Sequence, residues 1–398
     1  MVGTQVLGKL ADRAGSRAIY ILSITCFGIG SLLIVLAAGP TQLYLGRAVQ
    51  GFGAGGIFTV AAAVIGMRLP VAQRGPALGI LGTVWGLAFF LGPLLGGLLL
   101  RYSWHWLFAV NLPIAVLLIA GAWKLLPSAG SEKHRPFDIA GTVTLTAGLT
   151  ALVAAMNQLD TGNLIASLTC FPVTALLAAV AILLPLFWFV ELRAKDPILR
   201  PGLLASRQVL TACILAGGVG ALQTSTLFYP ALAVTAIGVS ESTASLLLLP
   251  GVVDSSVMSL AVGYLLNHLG TRIIVLVSLV FSATSLLIYS HADLSIATFI
   301  TAGLIGGIGS AGLIGAPLRW TILNESGPKE RGSAQGLMSN FTAVGRLIGA
   351  AGLGAMAASR GGVEGYQVAF TGMAVFVGVL FLGALTLKSR AAEKLGTR

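Results

Sequence analysis

Gly-Lys-Leu-Ala-Asp-Arg-Ala-Gly-Ser-Arg, residues 8–17, recurs as Gly-Tyr-Leu-Leu-Asn-His-Leu-Gly-Thr-Arg, residues 263–272, at an offset of 255 (263 minus 8). Three other pairs keep nearly the same offset of 256 or 257: Arg74-Gly75 with Arg331-Gly332, Gly92 with Gly349, and Gly51-Phe-Gly53 with Gly307-Ile-Gly309. The constant offset predicts a chain built from two related halves. In a membrane protein, such a duplication is typical of transporters, whose halves alternate around a central site.

The composition indicates a lipid environment. Of the 398 residues, 56% are hydrophobic and only 9% are charged, whereas soluble domains carry about 25% charged residues. Twelve apolar windows are long enough to cross a ~30 Å hydrocarbon core as helices: 18–38, 43–66, 76–99, 105–126, 138–158, 166–190, 208–236, 242–266, 272–290, 294–318, 332–358 and 366–387. Membrane strands are excluded, because the runs are long and do not alternate. The sequence predicts an all-α membrane protein with about 12 spans.

The net charge is +11, and the basic residues are distributed as expected for a chain that crosses a membrane many times. Of the 24 Lys and Arg residues, 20 fall in alternate loops and the C-terminal tail, and the opposite loops hold only Arg101 and Arg360. The positive-inside rule then places both termini in the cytoplasm. We expect a multi-pass protein of the cell (inner) membrane with the lipid bilayer, and no nucleic acid, as its partner.

No residue pattern indicates a metal, a cofactor or an enzyme. Cys26, Cys170 and Cys213 lie in apolar segments without pairing or ligand spacing. The two Gly-x-Gly-x-x-Gly matches, residues 51–56 and 307–312, do not follow a strand in a βαβ unit. A phosphate-binding Lys motif is also missing from the sequence, so we expect no cofactor and no direct use of ATP.

Four motifs occur in order along the first half: residues 8–17, 45–53, 92–97 and 104–113. Together they resemble the major facilitator superfamily, in particular its fourteen-span drug:proton antiporter branch, over essentially the whole chain. Ala88 stands where the family usually has Gly, and His105 where it usually has Arg. The resemblance implies the major facilitator fold: two pseudo-symmetric helical bundles, two extra helices between them, and a monomer that exchanges a small molecule for protons.

The register of the repeat divides the chain into three parts. Residues 1–127 form an N-terminal bundle of four spans, residues 128–200 two linker spans, and residues 201–398 a six-helix bundle with a cytoplasmic tail. Two spans precede the repeated block in the second half, whereas only residues 1–7 precede it in the first. We therefore expect the first two helices of a fourteen-span parent to be absent.

The repeated block is predicted to form a gate. Its glycines permit tight turns and close helix approach, and Asp12 with Arg13 and Arg17 supplies charges for a breakable lock between helices. The resemblance implies that this gate holds the halves together on the cytoplasmic side. The alternative is ordinary positive-inside loop charge. The predicted gating residues are Gly8, Asp12, Arg13, Gly15, Arg17, Gly263, Gly270 and Arg272.

Charges inside the spans are candidates for proton coupling. A cation near the bilayer centre costs at least ~2.5–3.5 kcal/mol, so Arg47, with Gln50 one turn later, is expected to face a cavity or a partner. The resemblance implies proton coupling for Arg47, and snorkelling is the alternative. Asp254, in the middle of its span, must be paired or protonated. It is predicted to carry a proton or a cationic substrate, or else to form a structural pair, for which Arg346 is a possible partner.

Gly92, Pro93, Gly96 and Gly97 combine a helix kink with a small-residue face. They are predicted to form the antiporter hinge, with close packing alone as the alternative. The candidate substrate-binding residues are Gln223, Thr224, Phe228 and Tyr229. The predicted function is proton-coupled efflux of drugs or small lipophilic metabolites, with lipophilic cations as suitable substrates. The alternative is a truncated or degenerate membrane protein that transports nothing and acts as a sensor or assembly partner.

Overall fold

The structure is a computed structural model that describes residues 2–126, 138–160, 162–194, 197, 201–291, 293–327 and 330–396. Within these ranges the regular secondary structure is entirely helical. The helices of the first half and the linker are α1 (Val2–Ala14), α2 (Ser16–Val35), α3 (Pro40–Arg68), α4 (Val71–Leu99), α5 (Trp106–Ala109), α6 (Asn111–Leu125), α7 (Ile139–Asn157), α8 (Leu164–Thr169) and α9 (Phe171–Arg193).

The second half contains α10 (Pro201–Ala205), α11 (Arg207–Gln223), a 3₁₀ turn (Thr224–Leu227), α12 (Tyr229–Ile237), α13 (Glu241–Leu246), α14 (Leu249–Leu269), α15 (Thr271–His291), α16 (Ile296–Ile314), α17 (Ala316–Glu325), α18 (Arg331–Arg360), α19 (Gly362–Ala384) and α20 (Arg390–Gly396). In the described part of the chain, eleven helical segments are long and apolar enough to cross a membrane. The 29-residue helix α4 occupies the remaining predicted window. The all-helical, multi-span prediction is confirmed.

The first copy of the repeated block is mostly helix and not loop. Helix α1 continues to Ala14, and only Gly15, with φ 90°, forms the turn into α2. Its counterpart Gly270, with φ 79°, forms the turn between α14 and α15. Both dihedral angles lie where glycine is favoured.

The two halves meet through equivalent helix pairs. Helix α1 packs against α18, and α14 packs against α4. Because α1 repeats in α14 and α4 repeats in α18, these two contacts are related by the internal repeat, as in a pseudo-twofold arrangement. The linker helices α7 and α9 pack against each other, and α7 reaches the bundle through α1 and α18.

One end of the bundle carries close backbone contacts between the halves. We call it the basic end and define it by residues 8–17, 66–75, 263–272 and 323–333, which include Arg13, Arg17, Arg68, Arg74, Arg272 and Arg331. The buried side chains of Tyr289, Phe299 and Phe370 belong to the core of the second half.

Candidate functional site

Two glycine contacts join the halves at the basic end. A methyl group added at Gly8 would lie 2.5 Å from the carbonyl oxygen of Gly332, and one added at Gly75 would lie 2.5 Å from that of Gly263. Gly8 corresponds to Gly263 in the repeat, and Gly75 to Gly332. The same close approach of two backbones therefore occurs twice, once on each side of the molecule, as predicted for Gly8 and Gly263.

Asp12 forms hydrogen bonds beside the contact between Gly8 and Gly332. Its Oδ1 accepts from the backbone N–H of Gly332 at 2.8 Å, and its Oδ2 accepts from the N–H and the hydroxyl of Ser333 at 2.8 and 2.9 Å. The carboxylate thus caps the N-terminus of α18, where the helix dipole and the free N–H groups favour a negative charge. Burial nevertheless raises the pKa of Asp12 to about 6, against the lowering effect of these hydrogen bonds.

The charges predicted to lock the helices contact different partners, and their gating role stays a prediction. The guanidinium of Arg17 lies over the ring of Trp123, with Cζ 4.6 Å from its centroid, and Arg13 ends α1. The physical reason is that four N–H groups at a helix start lack partners within the helix. Asp12 therefore meets backbone donors on α18, whereas Arg17 meets an aromatic face on α6.

Two further arginines, which the sequence analysis did not place in the site, cross between the halves at the basic end. Arg74 Nη1 donates to Asn324 Oδ1 on α17 at 2.6 Å. Its repeat counterpart Arg331 donates to the carbonyl oxygen of Gly66 on α3. The 257-residue offset that pairs Arg74 with Arg331 was the signal that could have identified them.

The second glycine contact has a different cap. Asn267 occupies the position that Asp12 holds in the first half, and its Nδ2 donates to the carbonyl oxygen of Ala72 at 2.5 Å. The predicted gating residues Gly270 and Arg272 form the following turn and the start of α15. There, Glu393 of the tail helix α20 accepts from the N–H of Thr271 at 3.1 Å.

Among the described residues, the close contacts of glycines on α4 with α14 run from Gly75 to Gly86. Thr83 Oγ1 donates to the carbonyl oxygen of Ser256 at 3.0 Å. Further along α4, a methyl group at Gly92 or Gly96 would meet nothing within 4 Å among the described residues. The side chains of the other two predicted hinge residues, Pro93 and Gly97, lie outside the described part. The bending role of these four residues stays a prediction.

Arg47 and Gln50 belong to a polar network within the first half. Arg47 Nη1 donates to Gln50 Oε1 at 2.8 Å, and Gln50 Nε2 donates to Ser31 Oγ at 2.9 Å. Asn111 Nδ2 on α6 donates to the same hydroxyl at 3.4 Å, and the Arg47 guanidinium lies over the ring of Phe108. Gln50 is buried and Arg47 is exposed. The network links α2, α3 and α6.

Asp254 and Arg346 do not pair with each other. The part of the chain that the structure describes contains no ion pair between them, because Arg346 Nε donates to Gln223 Oε1 on α11 at 3.0 Å. Asp254 Oδ2 is buried, with no hydrogen-bond partner among the described residues. A methyl group at Gly307 on α16 would lie 2.6 Å from that oxygen. The two residues lie on different helices, α14 and α18, and this long-range geometry could not be deduced from the sequence.

Of the four predicted substrate-binding residues, only Gln223 contacts a charged group. Thr224 is buried, and its hydroxyl donates to the carbonyl oxygen of Ala221 at 2.6 Å. Tyr229 stacks on Tyr289 with ring centroids 4.5 Å apart, inside the aromatic core of its own half. Phe228 approaches Tyr366 on α19. These contacts favour packing roles for Thr224, Phe228 and Tyr229, and their part in substrate binding stays a prediction.

A bundle of many membrane-spanning helices whose halves meet through two repeat-related contacts is typical of membrane transporters. The profile of the Major Facilitator Superfamily matches residues 1–228 and 214–397. The chain therefore belongs to that superfamily and is a multi-pass membrane transporter that carries small molecules, not an enzyme.

Characterised and uncharacterised bacterial transporters resemble the chain. The MFS-type transporter YfiU of Bacillus subtilis is 31% identical over 350 residues, which are 86% of this chain and 67% of YfiU. Multidrug resistance protein 3 of the same organism is 28% identical over 88% of this chain and 68% of its own length. The puromycin resistance protein pur8 of Streptomyces alboniger is 35% identical over 50% of this chain and 39% of its length. The chain thus spans about two thirds of the first two relatives.

Solved structures share the fold. The human organic anion transporter MFSD10 superposes with a TM-score of 0.73 over 96% of this chain and 80% of that protein, at 15% identity. The fucose:proton symporter FucP of E. coli gives a TM-score of 0.56 over 97% of this chain and 87% of that one, at 13% identity. At these identities the likeness concerns the fold alone.

Proposed function

We propose that this protein exports drug-like, lipophilic small molecules by alternating access and that proton entry drives the export. The observation that carries the proposal is the one-sided contact between the halves. They join at the basic end through Gly8 with Gly332 and Gly75 with Gly263, while a methyl group added at Gly92 or Gly96 would meet nothing within 4 Å among the described residues. Two rigid halves whose described backbone contacts lie nearer one end can rock about those contacts and open a central site to either side.

The orientation follows from the loop charges. The positive-inside rule assigns the basic end, and with it both termini, to the cytoplasm. The conformation described above is then closed to the cytoplasm and open outward. In this conformation Asp12, Arg74 and Arg331 all reach the opposite half. These are the contacts that must break when the transporter opens inward, which extends the predicted gate from the repeated block to Arg74 and Arg331.

Asp254 is our candidate for the proton carrier. A charged carboxylate costs several kcal/mol in a span unless it is paired or solvated, and its buried oxygen has no donor among the described residues. Protonation would remove the charge of the carboxylate beside Gly307, and rocking of the two halves would change its access to water. Arg47 and Gln50 form a second polar group of side chains, in the first half. We propose that their hydrogen-bond network also changes when the two halves rock. The resemblance to a relative named multidrug resistance protein 3 supports drugs as the substrates and export as the direction of transport.

Dye accumulation in cells tests the proposal. A bacterial host that lacks its own efflux pumps is loaded with ethidium or fluorescein, with and without a protonophore. We expect the chain to lower the accumulation of at least one dye, the protonophore to abolish this effect, and Asp254→Asn to reduce it. Glu364→Gln, which alters an exposed carboxylate at the start of α19, serves as the control.

The alternative, a membrane protein that does not transport, predicts a different outcome. The folded chain would then sit in the membrane at normal abundance, and accumulation of every dye would equal that of cells with an empty vector. That result would contradict the proposed function.

A further inference from the structure

The segment that follows α19 is attached to the basic end of the second half. We call residues 386–396, which include α20, the tail. At the start of the tail, Gln208 Nε2 on α11 donates to the carbonyl oxygen of Thr386 at 3.1 Å, and Gln208 Oε1 accepts from the N–H of Lys388 at 2.9 Å. Further along, Glu393 accepts from the N–H at the start of α15. The tail is therefore bound to the second half at two separate points.

Between these points, the tail binds the ends of two more helices. Lys388 Nζ forms an ion pair with Glu325, the last residue of α17. Arg390 Nη2 donates to the carbonyl oxygen of Asn267, two residues before the end of α14. Both contacts lie within the second half. Together they connect the end of α14 with the end of α17.

The first turn of α4 contacts the same two helix ends from the other half. Asn267 Nδ2 donates to the carbonyl oxygen of Ala72 at 2.5 Å. Asn324, the neighbour of Glu325, accepts from Arg74 Nη1 at 2.6 Å. Of the two asparagines that bind α4 here, one is held by the tail directly, and the other precedes a residue that the tail holds.

The repeat-related contact between α1 and α18 differs in its number of hydrogen bonds. There, Asp12 accepts three hydrogen bonds from the start of α18. Asn267, its counterpart, makes one side-chain hydrogen bond across the halves among the described residues. A contact with fewer bonds depends more on partners that are already in position, because ordering them costs conformational entropy.

We propose that the tail is a strap that holds the ends of α14 and α17 in position for α4 and thereby favours closure of the basic end. Lys388 and Arg390 are positioning residues, because their bonds described above lie within the second half. This inference rests on the proposed rocking of the two halves. Without the strap, both helix ends must be ordered each time the basic end closes, and that entropy cost falls on the closed conformation. Detachment of the tail therefore opens the basic end.

Spin-label distances in the full-length chain test the proposal. The purified chain in lipid nanodiscs, with its native cysteines replaced, carries labels either at Ala14 and Leu269 at the basic end or at Thr41 and Ala297 at the opposite end, all of them exposed positions. Distances are measured by double electron–electron resonance. The 21 residues of α15, about 30 Å, separate the tail from Ala297. The second pair therefore excludes a local disturbance of the label at Leu269.

Loss of a strap contact should shift the population towards the open basic end. Arg390→Ala and Lys388→Ala should each lengthen the first distance and shorten the second, with the ratio of closed to open molecules lowered about fivefold or more, the cost of ordering one backbone residue. Lys388→Glu should act in the same way, and its combination with Glu325→Lys, which reverses the ion pair, should restore the wild-type distances. Arg207→Ala, which removes an exposed arginine at the start of α11, should change neither distance.

Gly75→Ala, which places a methyl group in the contact between the halves, separates this inference from the proposed function. A shift in Gly75→Ala beside unchanged distances in Arg390→Ala and Lys388→Ala would overturn the strap and leave the rocking intact. A double variant of Lys388→Glu and Glu325→Lys that stayed open would also overturn the strap. Distances that no variant moved would overturn both the strap and the rocking. Shifts in both tail variants of a chain that exports no dye would support the strap and refute the proposed transport.

Discussion

Closure of the basic end requires that residue 75 has no side chain beyond hydrogen. A methyl group added at Gly75 should therefore open the basic end. In the structure that methyl group would lie 2.5 Å from the carbonyl oxygen of Gly263, whereas ordinary contacts begin near 3.4 Å. Helices α4 and α14 would have to separate by almost 1 Å (3.4 minus 2.5). Overpacking of this kind costs about 1–3 kcal/mol, which corresponds to a roughly 5- to 150-fold change in a conformational equilibrium. The cost applies only to the closed conformation.

The distance between spin labels at Ala14 and Leu269 reports on this equilibrium. Both residues are exposed at the basic end and are equivalent in the repeat; Cys26, Cys170 and Cys213 are first replaced. We expect Gly75→Ala to shift the double electron–electron resonance distribution from the short distance of the wild type towards longer distances.

Gly51→Ala is the matched control. A methyl group at Gly51 meets nothing within 4 Å, and both substitutions gain the same helix propensity of about 1 kcal/mol. If Gly75→Ala and Gly51→Ala gave the same distance distribution, the reasoning about the backbone contact would be refuted.

Three further predictions concern other contacts. Because the pKa of Asp12 rises from 3.8 to about 6 in the closed conformation, the free energy that its protonation contributes to closure is complete below pH 3.8 and is lost as the pH rises through about 6. The label distance should therefore shorten on acidification from pH 7.5 to 4.5, by a population change of up to ~25-fold, and Asp12→Asn should remove this dependence. If the wild type and Asp12→Asn responded equally to pH, another group would be responsible. Glu393→Ala removes the cap on Thr271 and should destabilise the second half by about 0.5–2 kcal/mol, seen as a lower thermal midpoint; an unchanged midpoint would show that α20 contributes nothing. Gln50→Leu leaves Arg47 and Ser31 without the bonds that Gln50 makes and should cost about 1–3 kcal/mol, whereas the exposed Gln73→Leu should not; equal melting curves would count against the network.

Much of the fold was predictable because it depends on local properties of the chain. Apolar windows of sufficient length gave the spans, and the offset between the repeats identified Gly8 and Gly263 as equivalent contacts before any coordinates. Gly15 and Gly270 were predictable for the same reason, since a turn between two helices needs a residue that tolerates positive φ.

The site was less predictable because its partners are distant in sequence. Asp12 accepts hydrogen bonds from Gly332 and Ser333, more than 300 residues away. No local sequence pattern near Asp12 indicates that the N-terminus of α18 needs a hydrogen-bond acceptor. The sequence grouped Asp12 with Arg13 and Arg17 as charges of one lock between helices, but only the structure shows that Asp12 accepts from backbone N–H groups of α18. Tyr229 shows a second limit: an aromatic ring suits a binding surface and a core equally, and only the structure shows that this ring stacks on Tyr289.

Label distances at both ends of the molecule test the central claim most directly. The pair Ala14 and Leu269 reports on the basic end, and the pair Thr41 and Ala297, also exposed and equivalent by the 256-residue offset of α3 and α16, reports on the opposite end. If the halves rock as two bodies, Gly75→Ala will lengthen the first distance and shorten the second. A longer first distance with an unchanged second distance would contradict the account, because it would show that the basic end loosens without any movement of one half against the other.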